Sequence, residues 1–133
     1  GPNMTDQLQP ILTPNVTQPG GHYAQAMVHG DIVYVSGQLG FEPESSTPEL
    51  VSVEKQVRNC LGNLKAILDD AGSSMNHVIR TTVYISDVAL WPEVNAIYAN
   101  VFGDHRPART IVPCNTLHHG FQVEIDAMAA LKT

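Results

Sequence analysis

The sequence has few charged residues, only two cysteines and no long apolar run, and each shortage excludes a class of protein. Its 133 residues include 7 basic and 13 acidic side chains, so the net charge is −6, which disfavours binding to nucleic acids or anionic membranes. No apolar run approaches the roughly 20 residues that span a bilayer, and no signal-peptide pattern is present, so we expect a soluble cytoplasmic protein. Cys60 and Cys114 are too few for a disulfide framework and indicate two buried thiols.

The familiar catalytic and cofactor motifs are also missing. The chain has no phosphate-binding loop, no GxGxxG fingerprint and no GxSxG nucleophile elbow. His118 and His119 are adjacent, and neighbouring side chains on a strand point to opposite faces, which argues against a shared metal ion. None of these patterns predicts a metal or a nucleotide cofactor.

A chain of this length is expected to form one domain. Residues 1–3, ahead of Met4, resemble the remnant of a cleaved expression tag, and residues 4–133 are predicted to form the single domain. Prolines and glycines up to about residue 21 indicate an irregular arm that can include a short edge strand. The run from 26 to 39, with a turn-like HGD step at 29–31, predicts a hairpin of two strands.

Two segments have the periodicity of helices. The first is expected between Ser52, a plausible N-cap, and Gly72, and the second between Pro92 and about Phe102, where Gly103 ends it. Lys55, Arg58 and Lys65 fall off the first apolar stripe and are expected in solvent. The apolar stripes comprise Val53, Val57, Leu61, Leu64 and Leu68 in the first helix, and Val94, Tyr98 and Val101 or Phe102 in the second.

Three further segments are predicted as strands, at 78–85, 110–113 and 121–131. In the first, Ile79 is expected to share a face with Thr81, Val83 and Ile85, and Val78 to lie on the other face. The order β-β-α-β-α-β-β predicts a two-layer α+β domain with a mixed β-sheet and two helices packed on one face.

The second face of this sheet is half apolar, which is typical of a surface that a partner covers. For identical chains this predicts a closed symmetric oligomer. The residues expected on this face are Tyr34, Ser36, Thr82, Tyr84, Gln122, Glu124 and Met128.

Three places have residues suited to chemistry. Arg109 enters a β-branched run, and a partly buried guanidinium requires an anion, which is either an internal carboxylate or a ligand carboxylate. Glu124 lies mid-strand and is either a solvated strand residue or a functional carboxylate. Gly37, after Ser36, permits close approach by a ligand or chain, although an ordinary bulge explains it equally well.

Six segments, in this order and spacing, resemble the RidA (YjgF-type) family of reactive imine/enamine deaminases. They cover the chain from about residue 21 to residue 131. The segments are YAQA at 23–26, VYVSGQ at 33–38, TTVY at 81–84, VNAIY at 94–98, PAR at 107–109 and VEI at 123–125.

The resemblance implies a chorismate-mutase-like fold, a homotrimer, and sites in the clefts between its subunits. It implies that Arg109 clamps the substrate carboxylate and that Glu124 orients or activates the attacking water. It also implies that Tyr23 packs over the ligand from an adjacent chain and that the Ile111 carbonyl receives the amino or imino group. Ser36, Gly37, Trp91 and Asn95 are implied to line the cleft.

The implied reaction is the hydrolytic deamination of 2-imino and 2-enamino acids, such as 2-aminoacrylate or 2-iminopropanoate, to 2-oxo acids and ammonia. It requires no cofactor, because the imine carbon is already electrophilic and the protein has only to position its partners. Two alternatives remain open, a non-catalytic ligand-binding or regulatory module of the same fold and a specialised deaminase for a bulkier substrate. The chain departs from the usual family pattern at Ile111, Trp91 and His118-His119, which border the expected cleft.

Overall fold

The computed structural model describes residues 7–133, which form a six-stranded sheet with two helices on one face. Apart from a short additional strand at the N-terminal end, the elements follow the predicted order, so the two-layer α+β prediction is confirmed. The tag remnant expected at residues 1–3 lies outside the described residues. The elements are β1 (Gln9–Ile11), β2 (Ala26–His29), β3 (Ile32–Leu39), α1 (Val53–Ala71), β4 (Val78–Ile85), α2 (Trp91–Phe102), β5 (Ala108–Pro113) and β6 (Val123–Ala130).

The last strand of the chain lies in the middle of the sheet. The strand order is β1-β2-β3-β6-β4-β5, and only β4 and β5, which α2 connects, are parallel. Alternate residues of β6 face the helices and are buried, as predicted, from Val123 to Ala129. The residues between them, Glu124 among them, therefore lie at the centre of the opposite sheet face, called here the open face.

Both helices begin and end where the sequence predicts. The Ser52 side chain accepts a hydrogen bond from the Lys55 amide at 3.1 Å, and Gly72 ends α1 with a left-handed φ of 87°. In α2, Phe102 is buried and Val101 is exposed, so Phe102 completes the apolar stripe. No helix in the described part of the chain is long and apolar enough to cross a membrane.

The predicted alternation of β4 is correct only from Thr81 onward. Val78 is buried, whereas Ile79 is 45% exposed, which is the reverse of the prediction for these two residues. The pairing of β4 with β6 shifts its register between Val78 and Arg80, and such an irregularity turns the earlier side chains to the other face. The error is therefore local and leaves the second half of the strand unchanged.

Both cysteines are free thiols. Cys60 is fully buried, and this burial raises the pKa of its thiol above the ordinary value. Cys114 is only half-buried, so the expectation of two buried thiols is correct for Cys60 alone.

Candidate functional site

Arg109 lies on the edge strand β5, on the side of the sheet that the helices cover. Its register partner is Thr81, whose hydroxyl is 2.7 Å from the Tyr98 hydroxyl of α2. The guanidinium carbon is 4.6 Å from the centre of the Trp91 ring and 4.8 Å from that of Tyr98. Nη1 donates a hydrogen bond to Asn95 Oδ1 at 3.0 Å. One face of α2 therefore holds the guanidinium by cation–π contacts and a neutral amide.

This environment fixes Arg109 without neutralising it. The side chain is half-buried, and within residues 7–133 it forms none of the ion pairs. The internal carboxylate that the sequence left open as its partner is therefore absent from the described chain. A held, uncompensated guanidinium can bind a carboxylate through two parallel hydrogen bonds. The ion pairs present are Lys55–Glu42, Arg58–Glu54 and Lys65–Asp69.

Glu124 lies on the open face, and its carboxylate rests against Gly37. A Cβ atom placed on Gly37 would be 2.6 Å from Glu124 Oε2, closer than real Cβ contacts. The pairing of β3 with β6 shifts its register between Val35 and Gln38, which places a bulge at Ser36 and Gly37. The bulge explanation of this glycine is therefore confirmed, and the group that approaches its backbone in the described chain is the Glu124 side chain.

The surroundings of Glu124 favour its protonated form. Burial raises the pKa of the carboxyl above its ordinary value, and the charge of Asp126 raises it further. His118 acts in the opposite direction and lowers the pKa of Glu124. A partly desolvated carboxylate with a raised pKa is a stronger base once ionised, as expected of a group that accepts a proton from water.

A cleft of about 560 Å³ opens in front of Glu124 at the end of β3. Tyr23, which is 52% exposed, lies on the loop before β2 and lines this cleft. The Ser36 hydroxyl donates to the Ala24 carbonyl at 2.7 Å and so ties the Tyr23 loop to the bulge. Phe41, His118 and His119 also line it.

The residues predicted from the sequence form two separate groups. On β4, the register partners of Arg109 and Glu124 are Thr81 and Tyr84, three residues apart, so the two charged side chains lie on opposite faces of the sheet. A single chain therefore does not bring them to one small molecule. The cleft group is Tyr23, Ser36, Gly37 and Glu124, and the edge group is Trp91, Asn95, Arg109 and Ile111.

The backbone amide and carbonyl of Ile111 point away from the neighbouring strand β4. The Cys114 amide donates to the Ile85 carbonyl of β4 at 2.8 Å. Along a strand, the amide and carbonyl groups of successive residues point to alternate sides. Cys114, three residues after Ile111, directs its amide toward β4, so the amide and carbonyl of Ile111 point away from β4. β5 is the last strand in the sheet order, so this side is a free edge of the described sheet and the carbonyl can accept a hydrogen bond.

Two further residues, one beside each group, were not predicted as site residues. Tyr98 was assigned only to the apolar stripe of α2, although its spacing of three from Asn95 and seven from Trp91 places all three on one helix face. Phe41 follows β3 in a polar loop, and nothing in its local sequence indicates that it lines the cleft. Within residues 7–133, no group of three or more His, Cys, Asp or Glu residues is placed to hold a metal ion.

Several known proteins are similar to this chain in both sequence and fold. Residues 13–131 match the family model described as Endoribonuclease L-PSP. A RutC family protein of Pyrococcus horikoshii is 37% identical over 119 residues, which are 90% of this chain and 94% of the relative.

Two solved structures extend the similarity to three dimensions. RidA from the Antarctic bacterium Psychrobacter has a TM-score of 0.87 at 32% identity, over 92% of this chain and 99% of that one. Escherichia coli TdcF, solved with bound serine, has a TM-score of 0.87 at 30% identity, over 93% and 99% of the two chains. With the matched family model and the shared fold, these similarities show that the chain belongs to the YjgF/RidA/RutC family, also called the endoribonuclease L-PSP family.

Proposed function

We propose that the protein hydrolyses the C=N bond of 2-imino acids, including those formed when enamines such as 2-aminoacrylate tautomerise. The observation that carries this proposal is the state of Arg109, a guanidinium held by Trp91, Tyr98 and Asn95 with no carboxylate partner in the described chain. Such a group fits the carboxylate that every 2-imino acid carries. The bound serine of TdcF is an amino acid with the same carboxylate, which supports this class of ligand.

The complete site requires two copies of the chain. Arg109 and Glu124 lie on opposite sheet faces, so they act on one substrate only if a neighbouring copy brings its edge group to the cleft. We assign this assembly as a homotrimer with three such clefts. The open face supports this assignment, because it carries Tyr34, which is 44% exposed beside the half-buried Met128, and also Tyr84, which is half-buried farther along the sheet.

Each group then has one task in the reaction. Arg109 binds the carboxylate, and the outward carbonyl of Ile111 accepts a hydrogen bond from the imino nitrogen. Glu124 accepts a proton from a water molecule while the water oxygen bonds to the imine carbon. The C=N electron pair moves to the nitrogen. Glu124 returns this proton to nitrogen, which gives the neutral aminoalcohol. The hydroxyl proton is then transferred to nitrogen through Glu124 as the C–N bond breaks and the C=O bond forms, and the products are a 2-oxo acid and ammonia. Tyr23 packs over the bound substrate, and Ser36 lines the cleft beside it.

An RNA substrate, which the description of the family model suggests, fits this chain less well. The net charge is −6, and the cleft in front of Glu124 is lined by no Lys or Arg. Binding to a phosphate backbone depends on such cations. The imine reaction requires a single guanidinium, which the edge group supplies.

The test compares two neighbouring arginines. Arg109→Ala is expected to lose at least 100-fold in 2-oxo acid and ammonia release from imines made in situ by an amino-acid oxidase, because the bound carboxylate loses its charged partner. Arg106→Ala, which removes an exposed arginine three residues away, is the matched control and should keep wild-type rates. Semicarbazide competition measures the decay of the imine itself.

The same assay separates turnover from simple binding. Glu124→Gln should stop imine hydrolysis while the protein still binds a 2-oxo acid, since the Arg109 clamp is intact. A wild-type protein that binds 2-oxo acids but never accelerates imine decay would be a non-catalytic binding module. Wild-type rates in Arg109→Ala would remove the basis of the proposal.

A further inference from the structure

Aromatic side chains form one wall of the cleft in front of Glu124. The rings of Phe41 and His119 meet edge to face, with centres 5.6 Å apart and planes at 72°. The buried ring of Phe121 lies behind both of them, 4.9 Å from Phe41 and 6.4 Å from His119. Phe41 and His119, called here the aromatic wall, line the same cleft as the proposed water-activating carboxylate.

Buried polar side chains of α1 fix the position of this wall. Asn63 Nδ2 donates to the Phe41 carbonyl at 3.1 Å, and Asn59 Nδ2 donates to the Gly40 carbonyl at the same distance. Both asparagines are buried, so these bonds are shielded from competing water. The chain segment that carries Phe41 is therefore held rigidly, as expected of a preformed binding surface.

His119 presents its ring from an unfavourable backbone conformation. Its φ and ψ are 61° and 13°, in the left-handed region that glycine adopts without strain. Gly120 follows with a φ of 79°, so the turn already contains one glycine. This turn places the His119 side chain in the lining of the cleft.

The charges of the cleft favour a neutral ligand over an acidic one. Its lining contains the Glu124 carboxylate and no Lys or Arg, so an acidic substrate side chain would meet a like charge without a strong partner. In the single chain the cleft has a volume of about 560 Å³, within the range of roughly 300–1,000 Å³ that holds drug-sized ligands. Tyr23 supplies a further aromatic surface in the same cleft.

From this arrangement we propose that the aromatic wall binds the side chain of the substrate, and that the preferred substrates are 2-imino acids with an aromatic side chain. This inference rests on the proposed function, because it places the reacting carbon at Glu124. A planar side chain extending from that carbon packs edge to face against Phe41 and His119, which is the favoured geometry for such rings. Substrates the size of pyruvate have no side chain that packs against the aromatic wall.

The experiment measures binding of the stable 2-oxo acid products, so it does not depend on turnover. Wild-type protein is titrated with phenylpyruvate, pyruvate and 2-oxoglutarate, and phenylpyruvate is expected to bind at least tenfold more tightly than either of the others. His119→Asn removes the ring and keeps a residue that tolerates left-handed backbone. It should weaken phenylpyruvate binding about fivefold, the contribution of one edge-to-face aromatic contact, and leave pyruvate binding unchanged.

His29→Asn is the matched control, since His29 is exposed on β2 and outside the cleft lining. Phe41→Leu is the second variant and should reduce the same preference. Equal affinity for pyruvate and phenylpyruvate, tighter binding of 2-oxoglutarate, or an unchanged preference in both wall variants would each overturn the inference. None of these results would contradict imine hydrolysis as the function. A protein that prefers phenylpyruvate but hydrolyses no imine would instead support the side-chain subsite and contradict the proposed reaction.

Discussion

The edge group around Arg109 and the cleft around Glu124 are each half of a site, and they are incomplete in opposite ways. The guanidinium has its supporting contacts in place, two aromatic rings and an amide, but it does not line the cleft in front of Glu124. The carboxylate has a pocket of about 560 Å³ but no cation among the residues that line it. Under the proposed function, each region is completed by the other region of a neighbouring copy.

Mixing two inactive variants gives the largest expected effect. Arg109→Ala and Glu124→Gln are each expected to be inactive, yet oligomers assembled from equal amounts of both should recover about a quarter of wild-type activity. In a random mixture, one interface in four pairs an intact Arg109 with an intact Glu124. Co-expression of the two variants in equal amounts, purification through one tag that both carry, and the imine assay measure this recovery.

A double variant mixed with wild type supplies the control. Chains that carry both substitutions should leave about a quarter of the sites active if two chains form each site, and about half if one chain does. Mixed oligomers of the single variants with no activity would show that Arg109 and Glu124 act within the same chain, contrary to their positions on opposite sheet faces.

Gly37→Ala tests the cleft half of the comparison by moving its carboxylate. The added Cβ would lie 2.6 Å from Glu124 Oε2, so the carboxylate has to shift. A displacement near 1 Å at a reacting group costs about 100-fold, and we expect kcat to fall by 10- to 100-fold. KM should change little, because the Arg109 clamp lies elsewhere. Steady-state kinetics with the imine generated in situ separates the two parameters.

The matched glycine variant is Gly62→Ala on α1. A Cβ there meets nothing within 4 Å, so kinetics should be unchanged and the helix should gain about 1 kcal/mol of stability. Should Gly37→Ala retain full kcat, the position of Glu124 against the bulge has no part in the reaction.

The sequence predicts the helices well but does not predict how Arg109 and Glu124 are placed relative to each other. Both helices were predicted to within a residue or two because their stripes and caps, Ser52 and Gly72, are local signals. The sequence also predicts a strand at Glu124 and one just after Arg109; the observed β5 begins two residues before the predicted start at residue 110 and so includes Arg109. That the two side chains lie on opposite faces was not predictable, because it follows from the pairing of β6 with β3 and β4, strands that are distant in the chain.

The errors have the same physical origin. Ile79 was assigned to the wrong face because the register shift beside Val78 depends on the partner strand and not on local alternation. Phe41 was missed because its position depends on hydrogen bonds from Asn59 and Asn63 of α1 to its loop. Tertiary contacts of this kind have no local pattern, even where every residue involved is visible in the sequence.

Glu124→Gln gives the smallest effect, a gain in stability that accompanies the loss of activity. The folded protein raises the pKa of Glu124 above its ordinary value of 4.5, so the ionised carboxylate is less favourable in the folded state than in the unfolded chain. The folded state then binds more protons than the unfolded state, and stability falls as the pH rises from about 4.5 through the raised pKa. Glutamine removes this loss.

The melting temperature of Glu124→Gln should therefore exceed that of wild type by a few degrees at pH 7.5, a difference of order 1 kcal/mol or less, and the two should converge near pH 4. Glu49→Gln, which replaces an exposed carboxylate in the loop before α1, should change the melting temperature little at either pH. A difference that persists unchanged at pH 4 would have a source other than ionisation. A gain confined to high pH would show that the ionised Glu124 carboxylate destabilises the folded protein.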